Sequence, residues 1–295
     1  MRGGNVAPIG STLLICLPPA LLLFTLFVVL PVGEAAWYSF FRWDGFGTPT
    51  EWVGLRNYES LFANRVFHVA LRNNLLIIVV SLGIQLPLAL AMALILAERI
   101  PAAPVFRMIF FLPYVLAEIA AGLIWRFAYD GDYGLVASIA RAFGTTAPHV
   151  LADPAYAEAA ILSVIVWKYF GFHMMLYIAG LQAIDRSLYA AARVDGATRW
   201  QLLRYVKLPL LKSTIKLSVF FAILGSFQLF DLVMPMTRGG PSDSTQTMVS
   251  FLYNHGITRM RVGFGSAIGV VLFVICVAFA IGYKRGVMRD GDGDA

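Results

Sequence analysis

The chain has 295 residues, of which 59% are hydrophobic and only 14% are charged. Soluble domains carry roughly 25% charged residues, so this composition excludes an ordinary soluble protein and indicates a membrane protein with several spans. The formal net charge of +6 suits anionic lipid headgroups and a protein partner, and it needs no nucleic acid to explain it.

Six apolar segments are close to the length of about 20 helical residues that a hydrocarbon core requires. They lie at residues 13–32, 74–97, 106–125, 159–180, 217–236 and 266–283. The first segment follows Met1 and Arg2 like a secretory signal, but it lacks a small-residue cleavage site, so we expect it to remain a span. Lys and Arg are denser in alternate connections, which places both termini in the cytoplasm. The sequence thus predicts an all-α membrane protein with six transmembrane helices.

A connector on the outer side of the membrane follows the first span. Its aromatic residues are predicted to form a belt at the membrane interface, and they are Trp37, Tyr38, Phe40, Phe41 and Trp43. Residues 52–74 are predicted to form an amphipathic helix, because apolar side chains recur on or near one face. These side chains are Leu61, Phe62, Val66, Phe67 and Leu71. Residues 1–73 are therefore taken as the N-terminal span with its connector.

A charged island at residues 181–211 separates the fourth and fifth apolar segments. We expect Ser187 to cap a short helix at residues 188–194, and Gly196 to end that helix in the left-handed conformation. The island is strongly basic, since it contains Arg186, Arg193, Arg199, Arg204 and Lys207, with Lys212 directly after it. This charge places the island on the cytoplasmic side of the membrane.

A second short helix follows in the same island. Thr198 and Gln201 have the spacing of a capping box that opens it. We expect Pro209 to end this helix, because proline disfavours helical geometry in the residue before it. Two short helices at an angle would then form a rigid projection on the membrane face.

The sequence LYAAARVDGA, followed by LPLL, resembles the cytoplasmic EAA loop of binding-protein-dependent ABC importer permeases. In that family the loop docks into a cleft on the ATP-hydrolysing subunit. The glutamate of the motif would fall at Ala190, where it would close a capping box with Ser187 and offer a carboxylate to the ATPase. The resemblance implies that coupling to the ATPase involves Tyr189, Ala190, Ala191, Ala192, Asp195, Gly196, Ala197 and Trp200. The alternative is an ordinary basic, amphipathic cytoplasmic loop.

Three further segments resemble the carbohydrate-uptake subgroup of that family, which includes the maltose and glycerol-3-phosphate permeases. They read VGLRNYESL with FHVALRNN, FRMIFFLPYVLAEIAAGLIWRFAYDGDYGLV, and FQLFDLVMPMTRGGP. The resemblance extends over about residues 52–283 and implies a type I ABC importer permease. Its transmembrane core would be residues 74–284, with the coupling loop at 181–213, and residues 285–295 would form a cytoplasmic tail.

The third span contains a carboxylate deep in its apolar sequence. Pro113 is expected to kink the helix, and Tyr114 and Glu118 follow within about a turn and a half. A charged carboxylate costs on the order of 2.5 to 3.5 kcal/mol in lipid, so Glu118 must face protein or water. Tyr114 and Glu118 are therefore candidates for the substrate path. The alternative for Glu118 is a hydrogen bond between helices.

The fourth span combines polar groups with aromatic rings. Lys168 and His173 lie among Trp167, Tyr169, Phe172 and Tyr177. Aromatic faces stack on the apolar faces of sugars while polar groups reach the hydroxyls, so Lys168, Tyr169, Phe172 and His173 are candidate substrate contacts. Two alternatives remain. Lys168 would extend its ammonium to the outer interface, and His173 would be a packing residue with a satisfied hydrogen bond.

The fifth span introduces Ser226, Gln228 and Asp231 before the outer boundary. In the family that FQLFDLVMPMTRGGP resembles, this helix lines the substrate cavity, which makes Phe227, Gln228 and Phe230 candidate contacts, together with Asp231. We favour the alternative for Asp231, a structural bond to Thr237 or to the turn at residues 239–240. In the sixth span, Gly265 and Gly269 indicate close helix packing.

Other motifs indicate neither catalysis nor metal binding by this chain. Cys16 and Cys276 are expected to be packed thiols, since they lack the spacing of a metal or disulfide site. The chain has no G-x-x-x-x-G-K-[ST] loop, so ATP and Mg²⁺ are expected on a separate ATPase. The outer residues 130–158 contain one predicted helix at 133–143, and they are either a landing surface for a solute-binding protein or an ordinary solvated loop.

The sequence therefore predicts a multi-pass permease subunit in the cytoplasmic membrane of a prokaryote. By the resemblance, its partners are a second related permease, an ATPase dimer, a solute-binding protein and a sugar that crosses by alternating access. A permease for another class of solute is one alternative. A secondary transporter is another, although it would need internal repeats and coupling-ion residues that we do not find.

Overall fold

The computed structural model describes residues 9–98 and 101–288, and the chain there is mainly helical. Four helices are long and apolar enough to cross a membrane, and there are up to six spans if each of two sharply bent helix pairs counts as one. The predicted helical class is confirmed. Three basic residues that count toward the predicted cytoplasmic side, Arg2, Arg99 and Arg289, lie outside the described residues, as does the end of the predicted cytoplasmic tail.

Helices and one small hairpin make up the described chain. In chain order, the first seven helices are α1 (Ile9–Phe24, continued by Leu30–Tyr38), α2 (Arg56–Phe62), α3 (Arg65–Val80, continued by Leu86–Leu96), α4 (Ala103–Val115), α5 (Glu118–Ala128), α6 (Leu135–Ala142) and α7 (Pro154–Ala183). They are followed by α8 (Arg186–Val194), α9 (Arg199–Leu202, continued by Leu208–Leu210), α10 (Lys212–Gln228), α11 (Val233–Thr237), α12 (Met248–Leu252) and α13 (Val262–Tyr283). Two short strands, β1 (Phe41–Arg42) and β2 (Glu51–Trp52), pair antiparallel between α1 and α2.

Three helices contain a five-residue π-helical turn directly before a Leu-Pro pair. The turns are Thr25–Val29 in α1, Ser81–Gln85 in α3 and Leu203–Lys207 in α9. Proline has no N–H, and in an α-helix its ring collides with the carbonyl four residues earlier. A π-helical turn widens the backbone and uses a five-residue bond, such as that from Leu30 N to Thr25 O, so the helix passes the proline. The second island helix ends at Leu210, one residue after Pro209, as predicted. The expected reason is wrong, however, because Leu208 before the proline is helical.

The described chain forms two compact units. The first unit contains the residues up to Ala63 together with Leu252–Phe273, and the second contains Asn64–Phe251 together with the chain from Val274 onward. In the first unit, the Trp52 ring lies 5.0 Å from that of Phe41 and 5.7 Å from that of Trp37. These ring contacts hold the β-hairpin against the end of α1.

The predicted single amphipathic helix at residues 52–74 is wrong. Trp52 belongs to β2, and the chain then forms α2 and α3 as separate helices. The break comes at Asn64, whose side chain accepts a hydrogen bond from Val66 N at 2.8 Å and so caps a new helix. Of the expected apolar face, Leu61 and Phe67 are buried, whereas Phe62 is 54% exposed.

Glycines in the first unit allow close backbone contact. A Cβ atom added to Gly256 would lie 2.5 Å from Gly265 Cα, so the predicted packing role of Gly265 is confirmed. Gly269 makes only an ordinary contact, with an added Cβ 3.5 Å from a Leu252 methyl. The prediction of a packed thiol is wrong for Cys16, which is exposed. No residue in the apolar window of its span is buried by the described part of the chain.

Two spans of the second unit are broken rather than gently kinked. The pair α4 and α5 bends by 95°, and the pair α9 and α10 bends by 63°. Pro113 lies inside α4, and the break falls after it at Leu116 and Ala117, which are extended with ψ near 139° and 137°. The predicted distortion in the third span is present, but it is larger than a proline kink. Such breaks expose backbone polar groups that other helices must satisfy.

Candidate functional site

A cavity of about 530 Å³ lies among five helices of the second unit. Ligand sites for small molecules typically measure about 300 to 1,000 Å³. The lining side chains come from α3, the break between α4 and α5, α7, and α10 with the residues after it. They are Ile77, Ser81, Gln85, Tyr114, Glu118, Ile165, Tyr169, Phe172, His173, Phe221, Ala222, Gly225, Ser226, Gln228, Leu229 and Asp231.

Most of the residues predicted for the substrate path meet at this cavity. Those that line it are Tyr114, Glu118, Tyr169, Phe172, His173, Gln228 and Asp231. Lys168, Phe227 and Phe230 are not among the lining residues, and Phe227 is buried in the protein. Their contact with a substrate remains a prediction. The structure thus brings together residues from three predicted spans, far apart in sequence.

Aromatic rings form one wall of the cavity. The rings of Tyr114 and Phe172 stack with centroids 4.9 Å apart and an angle of 24°. The ring of Phe221 contacts Phe172 edge-on at 6.1 Å, and that of Tyr169 contacts Tyr114 at 6.4 Å. Together these rings give the cavity a wall with a large apolar, aromatic surface.

Glu118 both lines the cavity and bonds a neighbouring helix. Tyr169 donates its hydroxyl hydrogen to Glu118 Oε1 at 2.6 Å. The bond joins α7 to the first residue of α5, so the alternative of a bond between helices is confirmed. The carboxylate is half-buried and keeps one side at the cavity. A short bond to a charged acceptor is among the stronger hydrogen bonds in proteins, and it fixes the direction of the carboxylate.

Lys168 is buried and bonds the broken span. It is 1% exposed, and its Nζ donates to Leu116 O at 2.7 Å and to Pro113 O at 3.2 Å. The alternative that Lys168 extends its ammonium to the outer interface is therefore wrong. The ammonium instead bonds carbonyls that the break leaves free. The position of Lys168 near the end of its span gives no sign of these partners.

His173 is satisfied by a neighbouring helix. Its Nδ1 lies 2.7 Å from Ser218 Oγ on α10, and only 3% of the residue is exposed. This matches the alternative of a packing histidine. The imidazole also borders the cavity, next to Phe172. His173 is therefore both a packing residue and part of the cavity wall.

The favoured alternative for Asp231 is wrong. The hydroxyl of Thr237 pairs instead with that of Thr245 at 2.8 Å and accepts from Gly239 N at 3.3 Å. α10 ends at Gln228, and the chain turns before α11, which leaves Asp231 exposed at the cavity. The pair of Thr237 and Thr245 makes the structural bond that was predicted for Asp231.

Sequence reasoning missed the contribution of the second span. Ser81 and Gln85 are buried polar residues of its π-helical turn, with Ser81 Oγ 3.5 Å from Gln85 Oε1, and both line the cavity. The signal was a glutamine in an otherwise apolar segment just before Pro87. Polar residues within a span commonly mark functional positions, so Gln85 could have been included among the candidates.

Two adjacent asparagines hold the loop that follows α11. Asn74 Nδ2 donates to Ser226 O, and Asn74 Oδ1 accepts from Met248 N at 2.9 Å. Asn73 Nδ2 donates to Ser244 O and to Gln246 O, at 2.7 and 2.9 Å. All of these groups belong to the second unit, and α3 is thereby joined to α10 and to residues 244–248.

The loop at residues 130–158 contains α6, which confirms the predicted helix at 133–143 within two residues at the start. Asp130 accepts hydrogen bonds from the backbone N–H of Tyr133 and Asp132, and these lower the pKa of its carboxyl. At the end of the loop, Glu158 forms an ion pair with Arg72 at 3.0 Å. Whether this surface receives a solute-binding protein stays a prediction.

The first helix of the island is capped by Asp185, so the prediction of Ser187 as the cap is wrong. Asp185 Oδ1 accepts from Ser187 N at 2.8 Å, and this bond lowers the pKa of the Asp185 carboxyl. Ser187 is thus the second residue of α8. A glutamate at position 190 would lie too far along the helix to close a capping box.

The turn at Gly196 and the start of the second island helix agree with the prediction. Gly196 has φ +77°, the left-handed conformation that glycine adopts without strain. Thr198 Oγ1 accepts from Gln201 N at 3.3 Å, and Gln201 Oε1 accepts from Thr198 N at 2.8 Å, which confirms the capping box. The helix–glycine–helix geometry is therefore set by local bonds.

The island presents an open apolar surface. Val194 is 88% exposed, Tyr205 is 73% exposed and Trp200 is 68% exposed. Among the predicted coupling residues, Ala190, Ala191, Asp195 and Gly196 are exposed, whereas Tyr189, Ala192 and Ala197 are half-buried. A Cβ atom added to Gly196 would have no atom within 4 Å. Large apolar side chains that face outward together are typical of an interaction surface.

Comparisons with known proteins agree with these features. Residues 99–285 match the family described as "Binding-protein-dependent transport system inner membrane component". The "Probable ABC transporter permease protein YurN" of Bacillus subtilis is 34% identical over 269 residues, which are 90% of this chain and 92% of that protein. The "Sulfoquinovosyl glycerol transport system permease protein SmoG" of Agrobacterium fabrum is 32% identical over 96% of this chain and 93% of its own length.

A relative from an archaeon and a solved structure extend the comparison. The "Trehalose/maltose transport system permease protein MalF" of Thermococcus litoralis is 33% identical and covers 90% of each chain. A crystal structure of "a bacterial ABC transporter involved in the import of the acidic polysaccharide alginate" contains a chain with a TM-score of 0.83, at 22% identity and with 96% of each chain covered. That likeness shows a shared fold. The chain belongs to the inner membrane components of binding-protein-dependent transport systems.

Proposed function

We propose that this permease subunit carries a sugar, either an oligosaccharide or a glycoside, through the cavity among α3, α4, α5, α7 and α10. The observation that carries the proposal is the presence of stacked rings and a few polar groups around one cavity. Tyr114 and Phe172 provide flat apolar faces, while Glu118, Gln228 and Asp231 provide hydrogen-bonding groups. Sugars have both kinds of surface, so the cavity suits them better than a purely apolar solute.

Named relatives support a sugar as the solute. SmoG is a permease for sulfoquinovosyl glycerol, and the MalF relative belongs to a trehalose and maltose system. Sulfoquinovosyl glycerol differs in charge from trehalose and maltose, so these relatives favour the class of glycosides and no particular member of it. A permease for a non-sugar solute remains the second candidate, with the "Osmoprotective compounds uptake permease protein GgtC" of Synechocystis as a relative of less defined cargo.

The complete transporter requires other chains. We infer that this subunit has six spans with both termini in the cytoplasm of a prokaryote, and that each bent helix pair counts as one span. It would pair with a second permease, and an ATPase dimer would hold ATP and Mg²⁺. A solute-binding protein would deliver the sugar from outside. One solved structure of the alginate transporter was determined with a "periplasmic protein" that holds an alginate pentasaccharide.

The island connects the ATPase to the cavity in this mechanism. α7 carries Tyr169, Phe172 and His173 and ends just before α8, while α9 bends directly into α10. Movement of the island by the ATPase would therefore reach two walls of the cavity through helices. Alternating access requires that each state be favoured by different contacts.

ATP-driven uptake tests this function. The subunit, its partner permease and the ATPase are reconstituted in proteoliposomes with the solute-binding protein outside and ATP inside. The labelled sugars are trehalose, maltose, lactose, diacetylchitobiose and sulfoquinovosyl glycerol, and glycerol 3-phosphate is included. We expect uptake of at least one glycoside only with hydrolysable ATP.

Two results would contradict the proposal. Uptake driven by a sodium or proton gradient without ATP would indicate a secondary transporter. ATP-dependent uptake of a compatible solute or an amino acid, with none of the sugars transported, would indicate the second candidate. A variant of the ATPase that cannot hydrolyse ATP is the matched control for leakage.

A further inference from the structure

The break between α4 and α5 leaves carbonyl groups at the end of α4 without helical partners. The last four carbonyls of a helix cannot bond within it, and the chain at Leu116 and Ala117 is extended. Within a membrane no water replaces the missing donors. The structure fills this need from another helix, because Lys168 Nζ donates to both Leu116 O and Pro113 O.

Opposite charges stand on the two sides of this break. The Lys168 ammonium lies at the C-terminal end of α4, where the helix dipole favours a cation. Glu118 is the first residue of α5, where the dipole favours an anion. Each charge therefore occupies the helix end that attracts it, which explains how a lysine with only 1% exposure is tolerated in a span.

Neighbouring residues of α7 hold both halves of the broken span. Lys168 bonds the end of α4, and Tyr169 bonds Glu118 at the start of α5 at 2.6 Å. A short distance further along α7, Gly171 lets the helix approach α4 closely, because a Cβ atom at this position would lie 2.1 Å from Phe110 O. The break is thus held from one side by a single stretch of α7.

The cavity depends on the direction of the two half-helices. α4 carries Tyr114 and α5 begins with Glu118, and both side chains line the cavity. Lys168 lies outside the lining but bonds the backbone on both sides of Tyr114, at Pro113 O and at Leu116 O. A change in the angle at the break would move the ring and the carboxylate relative to the rest of the wall.

We propose that Lys168 is a positioning residue of this cavity: its ammonium group fixes the break of the third span and thereby the places of Tyr114 and Glu118. The proposal deepens the proposed function, on which it rests in taking the cavity as the solute site. Lys168 acts through the backbone of the break and needs no contact with the solute.

Thiol labelling tests the position of the wall without any sugar. The full-length chain is expressed in membrane vesicles with Cys16→Ser and Cys276→Ser, and one reporter thiol is added by Tyr114→Cys. We measure its rate of modification by N-ethylmaleimide with and without Lys168→Met. Two hydrogen bonds from a charged donor are lost in that variant, so we expect the rate to change by about tenfold or more.

Matched variants separate positioning from general loss of structure. A second reporter, Gln228→Cys, lines the same cavity from α10, and its rate should change by less than about twofold. Lys168→Arg keeps the charge and the donors, so it should restore the rate at position 114. Lys284→Met removes an exposed lysine directly after α13 and should leave both rates unchanged.

Three results would overturn the proposal. They are an unchanged rate at position 114 in Lys168→Met, an equal change at both reporters, and failure of Lys168→Arg to restore the rate. If Lys168→Met does not accumulate in the membrane, Lys168→Gln is judged by the same criteria, because it also removes the charge. Labelling is independent of transport, so a failed search for the sugar would leave this result standing.

Discussion

Single glycines decide how closely the helices around the cavity approach. Gly171 on α7 faces the backbone of α4, and an added Cβ atom would lie 2.1 Å from Phe110 O and 2.9 Å from Phe110 C. A backbone carbonyl cannot rotate away as a flexible side chain can, so the two helices would have to separate. Gly83 in the π-helical turn of α3 is the opposite case, since nothing lies within 4 Å of an added Cβ atom.

We expect Gly171→Ala to destabilise the protein strongly. Overpacking in a close-packed region typically costs about 1 to 3 kcal/mol, and the separation of α7 from α4 would also strain the Lys168 bonds. The thermal midpoint of the detergent-solubilised chain, followed by fluorescence-detected size exclusion, should fall clearly below that of wild type. Gly83→Ala is the matched control and should keep the midpoint. Equal midpoints for both variants would mean that α4 and α7 are not packed as described.

Hydrogen bonds between elements fix the end of the cavity near Ser226. Asn74 joins three of them, because its amide donates to Ser226 O near the end of α10 and accepts from Met248 N at the start of α12. The residue has no exposed surface. A buried amide with both functions satisfied holds its partners in one arrangement.

We predict that Asn74→Leu loosens this end of the second unit. The substitution keeps the branched arrangement of side-chain heavy atoms but leaves a buried carbonyl and a buried N–H unpaired, at about 1 to 3 kcal/mol for each. Proteolysis or hydrogen exchange of residues 239–250 should become faster, with a lower thermal midpoint. Leu75→Ala changes the neighbouring residue, which is 52% exposed and takes no part in these bonds. This variant is the control and should keep the protection of wild type. Protection of residues 239–250 as in wild type in Asn74→Leu would contradict the assignment.

Element types were more predictable than the contacts between them. The spans follow from apolar length alone, and Glu118 and Gln228 are polar residues that an apolar helix makes conspicuous. The break at Leu116 and Ala117 could not be located, because neither residue has a helix-breaking side chain and the break is stabilised by Lys168 from another helix. Sequence spacing does not show which carbonyl a buried ammonium will reach.

Neighbouring residues with competing preferences explain two other differences between prediction and structure. Asp185 and Ser187 are both good caps, and only the backbone geometry of α8 distinguishes them, with Asp185 as the acceptor. Pro209 is a strong helix stop by itself, but the preceding π-helical turn Leu203–Lys207 accommodates it. Gly196 was predictable, since a left-handed turn between two capped helices demands it.

At the scale of the molecule, the island and the cavity belong to one packed framework within the second unit. Gly180 near the end of α7 lies against α10, where an added Cβ atom would be 2.6 Å from Thr214 Oγ1. Lys207 in α9 forms an ion pair with Glu98 at 3.2 Å. α7 and α10 are thus packed together next to the island, and Lys207 joins the island to the chain just after α3. We therefore expect a displacement of the island to reach the cavity rather than to be absorbed in a flexible link.

We predict that Gly196→Asp uncouples transport from ATP hydrolysis. An aspartate at this position adds bulk and charge to the open surface beside Val194 and Trp200, and it would block close approach of the ATPase. Copurification of the ATPase and sugar uptake should each fall by about tenfold or more, a change equivalent to about 1.4 kcal/mol or more of binding free energy. Gly144→Asp is the matched control, because Gly144 also has a positive φ, of +70°, and no atom within 4 Å of an added Cβ.

Ala190→Glu tests the same surface in the opposite direction. Ala190 is exposed on α8, and the cap at Asp185 means that a glutamate at position 190 would not alter the start of the helix. The new carboxylate would remain free to bind an arginine of the ATPase, so association should be retained or strengthened. A severe loss of assembly in Ala190→Glu would show that this face of α8 is packed against the ATPase without room for a longer side chain. Equal effects of Gly196→Asp and Gly144→Asp would instead place the docking surface elsewhere.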